Sequence, residues 1–223
     1  MDADGLADIE HLTSYQIWLA ALRGDAATAQ AALAELRDLR ASEDPQDKAE
    51  VSFAEAFTAA ARRRPEDALR HCRGVLAHTS TLGMSADWPR WAWPLAARTA
   101  CDLRETAATS ELLGLLYDCP TGHLAPMLRA ERDLARARLA ASDSEQPATA
   151  DFAKAVTSLH EHSTPYHLAH GLLDHAEHLI RLGDAEAAEK AISEARDIAG
   201  RLRCQPLLDR AADLIPAEPR IQA

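Results

Sequence analysis

Six histidines crowd one stretch of the chain: His160, His162, His167, His170, His175 and His178. Imidazole is a common ligand for zinc and related divalent ions, and it titrates near neutral pH, so such a cluster suits metal or proton chemistry. Within it, His167, Asp174 and His178 are separated by seven and four residues, which places two imidazoles and a carboxylate on one face of a helix, with His170 nearby. That face lies opposite Leu172, Ala176 and Leu179, the apolar stripe of the same helix. The spacing therefore predicts an accessible trio, His167, Asp174 and His178, as the candidate ligands of a divalent metal or as a pH-responsive surface. The H-E-x-x-H pairing of helical zinc sites is absent, and polar helix faces often gather histidine by composition. No metal and no other cofactor is expected on balance.

Catalysis has less to build on. There is no G-x-S-x-G elbow and no glycine-rich phosphate cradle, and the carboxylates fall on solvated helix faces, so no enzymatic activity is expected. The formal charge is −11, from 35 acidic against 24 basic residues, which repels a nucleic acid backbone unless the basic residues gather on one face. They do not gather: Arg62, Arg63 and Arg64 form the one basic run, placed to favour the dipole at the last turn of a helix. Four cysteines at 72, 101, 119 and 204 show no C-x-x-C pair and read as reduced thiols. The acidic N-terminus lacks the apolar region of a signal peptide, and no apolar run is long enough to span a bilayer, so a cytoplasmic protein with no membrane contact is expected.

The elements that must position these residues are helices. Ala and Leu dominate an apolar content of 47%, while aromatics are only 4%, the composition of close-packed helices rather than sheets. A repeat of about forty residues runs along the chain. The small residue Ala188 recurs as Ala148, Ala108, Ala68 and Ala29, in steps of 40, 40, 40 and 39. Four residues beyond each stand Ile192, Phe152, Leu112, Cys72 and Leu33, and three further stand Ala195, Ala155, Leu115, Val75 and Leu36. Spacings of four and three share one helical face. Upstream of each such helix lies a turn signal, clearest at Gly24-Asp25 and Gly183-Asp184, and upstream of that a second amphipathic stretch. The pattern predicts helices over 8–23, 26–41, 46–63, 65–79, 88–103, 105–118, 123–141, 147–161, 165–182 and 185–202, with a short closing helix at 205–215. That is an all-α, right-handed superhelical solenoid of about five antiparallel helix pairs. Residues 1–216 form a single domain on this reading, with 217–223 as a flexible tail.

A solenoid presents a concave face lined by the first helix of each pair. Counting the repeat back from the last pair places on it Trp18, Phe53 and Phe57, Arg90 and Trp93, Asp133, and His170, Leu173 and Glu177. Four aromatics among these, in a chain with few, suit anchors for an incoming helix or peptide. Trp91 is assigned instead to the core, with Pro89 and Pro94 starting or kinking its helix.

In the last pair, Leu172, Ala176, Leu179, the Gly183-Asp184 turn and the face Ala188, Ile192, Ala195 resemble the tetratricopeptide pattern. The likeness is to its longer, degenerate form, since the step exceeds the usual thirty-four residues and most signature aromatics are missing. Trp91 to Arg98 (WAWPLAAR), Gly122 to Glu131 (GHLAPMLRAE), Thr164 to Leu173 (TPYHLAHGLL) and Arg203 to Leu208 (RCQPLL) resemble helical C-terminal regions of multidomain bacterial signalling proteins. Those are chiefly actinobacterial ATPases joined to adenylate or guanylate cyclase domains, and LuxR-type regulators. The resemblance implies the sensor or scaffold part of a signalling or transcription-regulatory system, binding a protein or peptide through its concave face. A small-molecule effector is the alternative occupant, and direct nucleic acid contact is not expected. The departures are plain: the chain has no G-x-x-x-x-G-K-[ST] loop, no cyclase-like stretch and no helix-turn-helix after Leu214.

Overall fold

The computed structural model describes residues 3–120, 122–143 and 145–215. Helices α1 (Ala3–Arg23) and α2 (Ala26–Leu33) make the first pair, α3 (Pro45–Ala61) and α4 (Pro65–Leu76) the second. A one-turn helix α5 (Thr79–Leu82) precedes the third pair, α6 (Asp87–Asp102) and α7 (Thr106–Tyr117). Then come α8 (Pro126–Asp143) with α9 (Glu145–His162), α10 (Pro165–Leu182) with α11 (Ala185–Leu202), and a closing α12 (Gln205–Asp213). This is the all-helical solenoid of antiparallel pairs that the repeat predicts, with no strand among the described residues. The expected tail at 217–223, and Ser144 within the expected turn at 141–147, lie outside the described residues.

The turns repeat one backbone motif. At Gly24, Arg63, Arg104 and Gly183 the chain takes the left-handed conformation, with φ of 79°, 56°, 58° and 81°. The following N–H reaches back five residues to Ala20, Ala59, Ala100 and Leu179 at 2.9–3.0 Å, which satisfies a carbonyl in the last turn of α1, α3, α6 and α10. The next helix then starts at once. Asp25 accepts from the backbone N–H of Thr28 and Asp184 from that of Ala187, each capping its helix.

The recurring small residues Ala29, Ala68, Ala108, Ala148 and Ala188 are all buried, as are Leu33, Cys72, Leu112, Phe152 and Ile192 beyond them. Two local departures have physical causes. The second helix, expected to reach residue 41, ends as α-helix at Leu33 and tightens into 3₁₀ turns over Ala34–Arg37 and Leu39–Ala41. Leu33, Leu36 and Leu39 are spaced by three, and three residues per turn keep all of them on the buried face. Pro94 sits inside α6 without ending it, and Trp88, Pro89, Trp93 and Pro94 are buried while Trp91 is only half-buried. Trp93, not Trp91, is thus the core residue, and its indole N–H donates to the carbonyl of Leu112 at 2.8 Å.

Apolar packing divides at α8. Leu128 and Ala135 join a core with α3, α4, α6 and α7, whereas Ala130, Leu134 and Ala137 join a second core with α9 to α12. No helix among the described residues is long and apolar enough to cross a membrane. All four cysteines are free; Cys72 and Cys204 are buried, Cys101 and Cys119 partly so.

Candidate functional site

First helices of alternate pairs touch one another. Trp18 of α1 lies 5.0 Å from Trp91 of α6, and Trp91 stacks on His167 of α10 at 5.6 Å. In a curved stack, elements two pairs apart approach only on the inside, so these rings mark the concave surface. They also close it there. Trp18, Phe57, Trp91, Leu95, Arg98, Tyr166 and His167 enclose a void of about 10 Å³, the room of one water at most.

Beneath Trp91 runs a buried ionic seam. Glu131 of α8, 2% exposed, accepts from the guanidinium of Arg98 and lies 2.6 Å from His167 Nδ1, which is itself 2.7 Å from Arg98 Nη2. Burial opposes charge on Glu131, but Arg98 and His167 outweigh it and hold the carboxyl below its ordinary range. Burial pushes His167 the other way, toward the neutral ring, against the pull of Glu131. A neutral imidazole with its proton assigned to Nδ1 donates to Glu131 and leaves Nε2 enclosed without a partner.

Further along, the inner surface opens into a cavity of about 710 Å³ at the C-terminal ends of α6, α8 and α10, lined by Cys101, Arg104, Arg138, Ser142, Asp174, Glu177 and Arg181 among others. Arg138 reaches Asp102 at 2.5 Å and Asp174 at 3.5 Å; Arg210 of α12 reaches Asp174 at 2.6 Å and Glu177 at 3.3 Å. Burial works against Asp174 as an anion, yet Arg138 and Arg210 keep it ionised below the usual range. Asp102, Arg138, Asp174 and Arg210 recur every 36 residues with alternating sign. That step is one repeat less one helical turn, so the ladder climbs diagonally across neighbouring first helices. Arg104 and Arg181 stand outside it: among the described residues neither has an acidic side chain within ion-pairing distance.

Helix α12 folds back to the start of the chain. Gly24 leaves room for Pro206, whose Cδ would lie 3.2 Å from a Cβ at that position, and Arg63 pairs with Asp209 at 3.2 Å. With Arg210 on Asp174, α12 thereby links the first two turns to the last pair.

Several sequence expectations are corrected by burial. Phe53, Trp93 and Leu173 are fully buried and Phe57 is 4% exposed, so these four pack the core and cannot meet a partner. His167, Asp174 and His178 are buried too, at 2%, 3% and 0% exposure, not accessible. They are also apart in role: His167 joins Glu131, Asp174 joins the arginines, and His178 Nε2 lies 2.9 Å from Thr149 Oγ1 with its ring on Phe152 at 4.8 Å. Among the described residues no three His, Cys, Asp or Glu side chains converge as a metal site. The hydroxyl–imidazole contact of Thr149 and His178 offers no catalytic pair, because the imidazole is wholly enclosed.

Of the remaining expected groove residues, Trp18 lies on the inner wall and Glu177 lines the cavity. Arg90 pairs with Asp87 and lies over Trp91, Asp133 pairs with Arg132, and half-buried His170 rests against the edge of Tyr166. The residues missed were Arg98, Arg104, Glu131, Arg138, Arg181 and Arg210. The signal that could have found the ladder is its alternating charge at a step of 36 rather than 40.

No protein-family model matches the chain, and no curated protein matches it. Among solved structures, it is similar to Bacillus thuringiensis PlcR, crystallised in complex with the peptide PapR7 and DNA. The TM-score is 0.69 at 12% identity, covering 94% of this chain and 75% of that one. A likeness at that identity is one of fold: a tetratricopeptide-like helical solenoid.

Proposed function

We propose that this chain is a non-enzymatic regulatory module of a bacterial signalling or transcription-regulatory system, and that it binds a peptide or protein segment on its inner face. The observation that carries the reading is the 710 Å³ cavity on that face, within the size range of ligand sites and walled by the ends of three successive first helices together with Thr106 and Thr109 of α7 and Phe152 of α9. The similar fold of PlcR, solved with the peptide PapR7, supports a peptide as occupant. That structure also holds DNA, so the reading that this chain contacts no nucleic acid rests on its charge of −11 and on its scattered basic residues. Residues 1–216 act as one domain on this proposal, in the cytoplasm and without membrane contact.

The test is a block of the cavity. Ser142 is exposed on its wall, and Ser142→Trp adds bulk there without entering the core. Pools of labelled heptapeptides should bind the wild-type chain in fluorescence polarisation and lose binding to the variant, with unchanged circular dichroism. Equal binding by both proteins would rule out the cavity as the site. A second reading, a compact small-molecule effector, draws on the closure of the inner face around Trp91, which leaves the cavity more enclosed than a long groove. Thermal-shift screening against metabolite-sized ligands, with Ser142→Trp as control, separates the two.

A further inference from the structure

We infer that the cavity recognises a carboxylate of the bound peptide, an acidic side chain or the C-terminus, between Arg104 and Arg181; this rests on the peptide reading above. The argument begins with charge. Of the charged residues lining the cavity, three are arginines (Arg104, Arg138 and Arg181) and two are acids (Asp174 and Glu177). Arg138 pairs with Asp174 and with Asp102 outside the lining, and Glu177 and Asp174 also pair with Arg210 of α12, outside it too. What remains is Arg104, from the turn between α6 and α7, and Arg181, from the last turn of α10, both lining the same space and both without an acidic partner among the described residues. In a chain of charge −11 this is a local excess of positive charge facing a cavity.

Arg104 carries a second mark. It occupies the left-handed position, φ 58°, that glycine fills at 24 and 183. An L-residue there is disfavoured. Arg63 holds the equivalent place in the second pair and is engaged by Asp209, so its side chain has a structural task. Arg104, exposed and without an ion pair among the described residues, lines the cavity, whereas Arg203, the third arginine in this conformation at φ 54°, does not.

Guanidinium groups present planar, paired N–H donors that match a carboxylate's two oxygens, and such charge-assisted contacts are the strong kind. Asp174 and Glu177 stand on the same wall, so a doubly charged phosphate would meet more repulsion than a singly charged carboxylate. Net charge alone would deter an acidic peptide at long range; the two arginines supply the specific attraction at contact.

The experiment compares two sets of labelled heptapeptide pools in fluorescence polarisation: one with free C-termini and acidic positions, one amidated and free of Asp and Glu. Proteins are the wild type, Arg104→Gln, Arg181→Gln, and Arg196→Gln as an exposed arginine of α11 outside the cavity. Succinate and inorganic phosphate serve as small-anion probes in thermal shift. The expected result is binding confined to carboxylate-bearing pools, weakened about tenfold or more by either cavity substitution and unchanged in Arg196→Gln. Binding of amidated, acid-free pools with equal affinity in all four proteins would overturn the carboxylate site while leaving the peptide reading intact. Succinate or phosphate bound through Arg104 and Arg181 with no peptide bound would overturn the peptide as its source. Failure of every pool and both anions would overturn both readings.

Discussion

Glu131→Gln removes the negative charge that contacts both Arg98 and His167 inside the solenoid. Both Glu131 and Arg98 are buried, at 2% and 8% exposure, so solvent cannot take over the lost interaction. Breaking a buried ion pair by removing one partner costs about 3–5 kcal/mol, because a charge is left uncompensated in a poor solvent. Glutamine keeps an acceptor oxygen for the guanidinium, which places the cost near the low end, about 3 kcal/mol. For a chain of 223 residues, each kcal/mol moves Tm by about 2–4 °C, so a fall of about 6–12 °C is expected in a thermal melt followed at 222 nm. The double variant Arg98→Met, Glu131→Leu replaces the pair by apolar groups of similar size and should recover most of that loss. Glu43→Gln, which breaks an exposed pair with Lys48 at 2.5 Å, should leave Tm unchanged. If Glu131→Gln melts within about 2 °C of the wild type, or the double variant is no better than the single, the cost assigned to breaking the buried pair is refuted.

Stability should also depend on pH in a definite direction. Burial holds His167, His170 and His175 neutral, with pKa values below the ordinary 6.5. The unfolded chain therefore binds more protons as pH falls below about 6.5, and the urea midpoint should decline from there. Glu131 and Asp174, held low by their arginines, add a further loss below about pH 4; a flat midpoint from pH 8 to 5 would contradict the histidine contribution. Two helical glycines should respond oppositely to alanine. A Cβ on Gly171 would come within 2.4 Å of the fully buried Leu159 Cδ1, so Gly171→Ala should destabilise by about 1–2 kcal/mol, whereas Gly200 has open space and Gly200→Ala should gain up to about 1 kcal/mol. Chemical denaturation of both variants checks the pair, and a loss for Gly200→Ala would refute the assignment of open space.

The buried stripe was legible because burial imposes a helical period on apolar residues whatever their partners. Ala188 and its counterparts could be counted back in steps of forty, and each lies in the core. The same count misplaced the groove. Leu173, Asp133, Trp93 and Phe53 are spaced by forty, hence equivalent, and three of the four are fully buried: equivalence in the repeat made them core residues together. The histidine face failed for a related reason. His167, Asp174 and His178 do share a face of α10, but that face turns toward α8, α9 and α12 rather than water.

From the sequence alone come the helix pairs, their turns and their step, because hydrogen bonding, capping and apolar period act within some forty residues of chain. Which side chains meet on the inside depends on how neighbouring helices tilt. That tilt shifts contacts by one turn per repeat, so Asp102, Arg138, Asp174 and Arg210 meet at a step of 36. The return of α12 to Gly24 and Arg63 depends on the curvature summed over all five pairs, and a contact between residues 146 apart leaves no local pattern to read. The cavity with its two unpaired arginines is likewise a product of curvature, since Arg104 and Arg181 face one space only once the third and fifth pairs have been stacked.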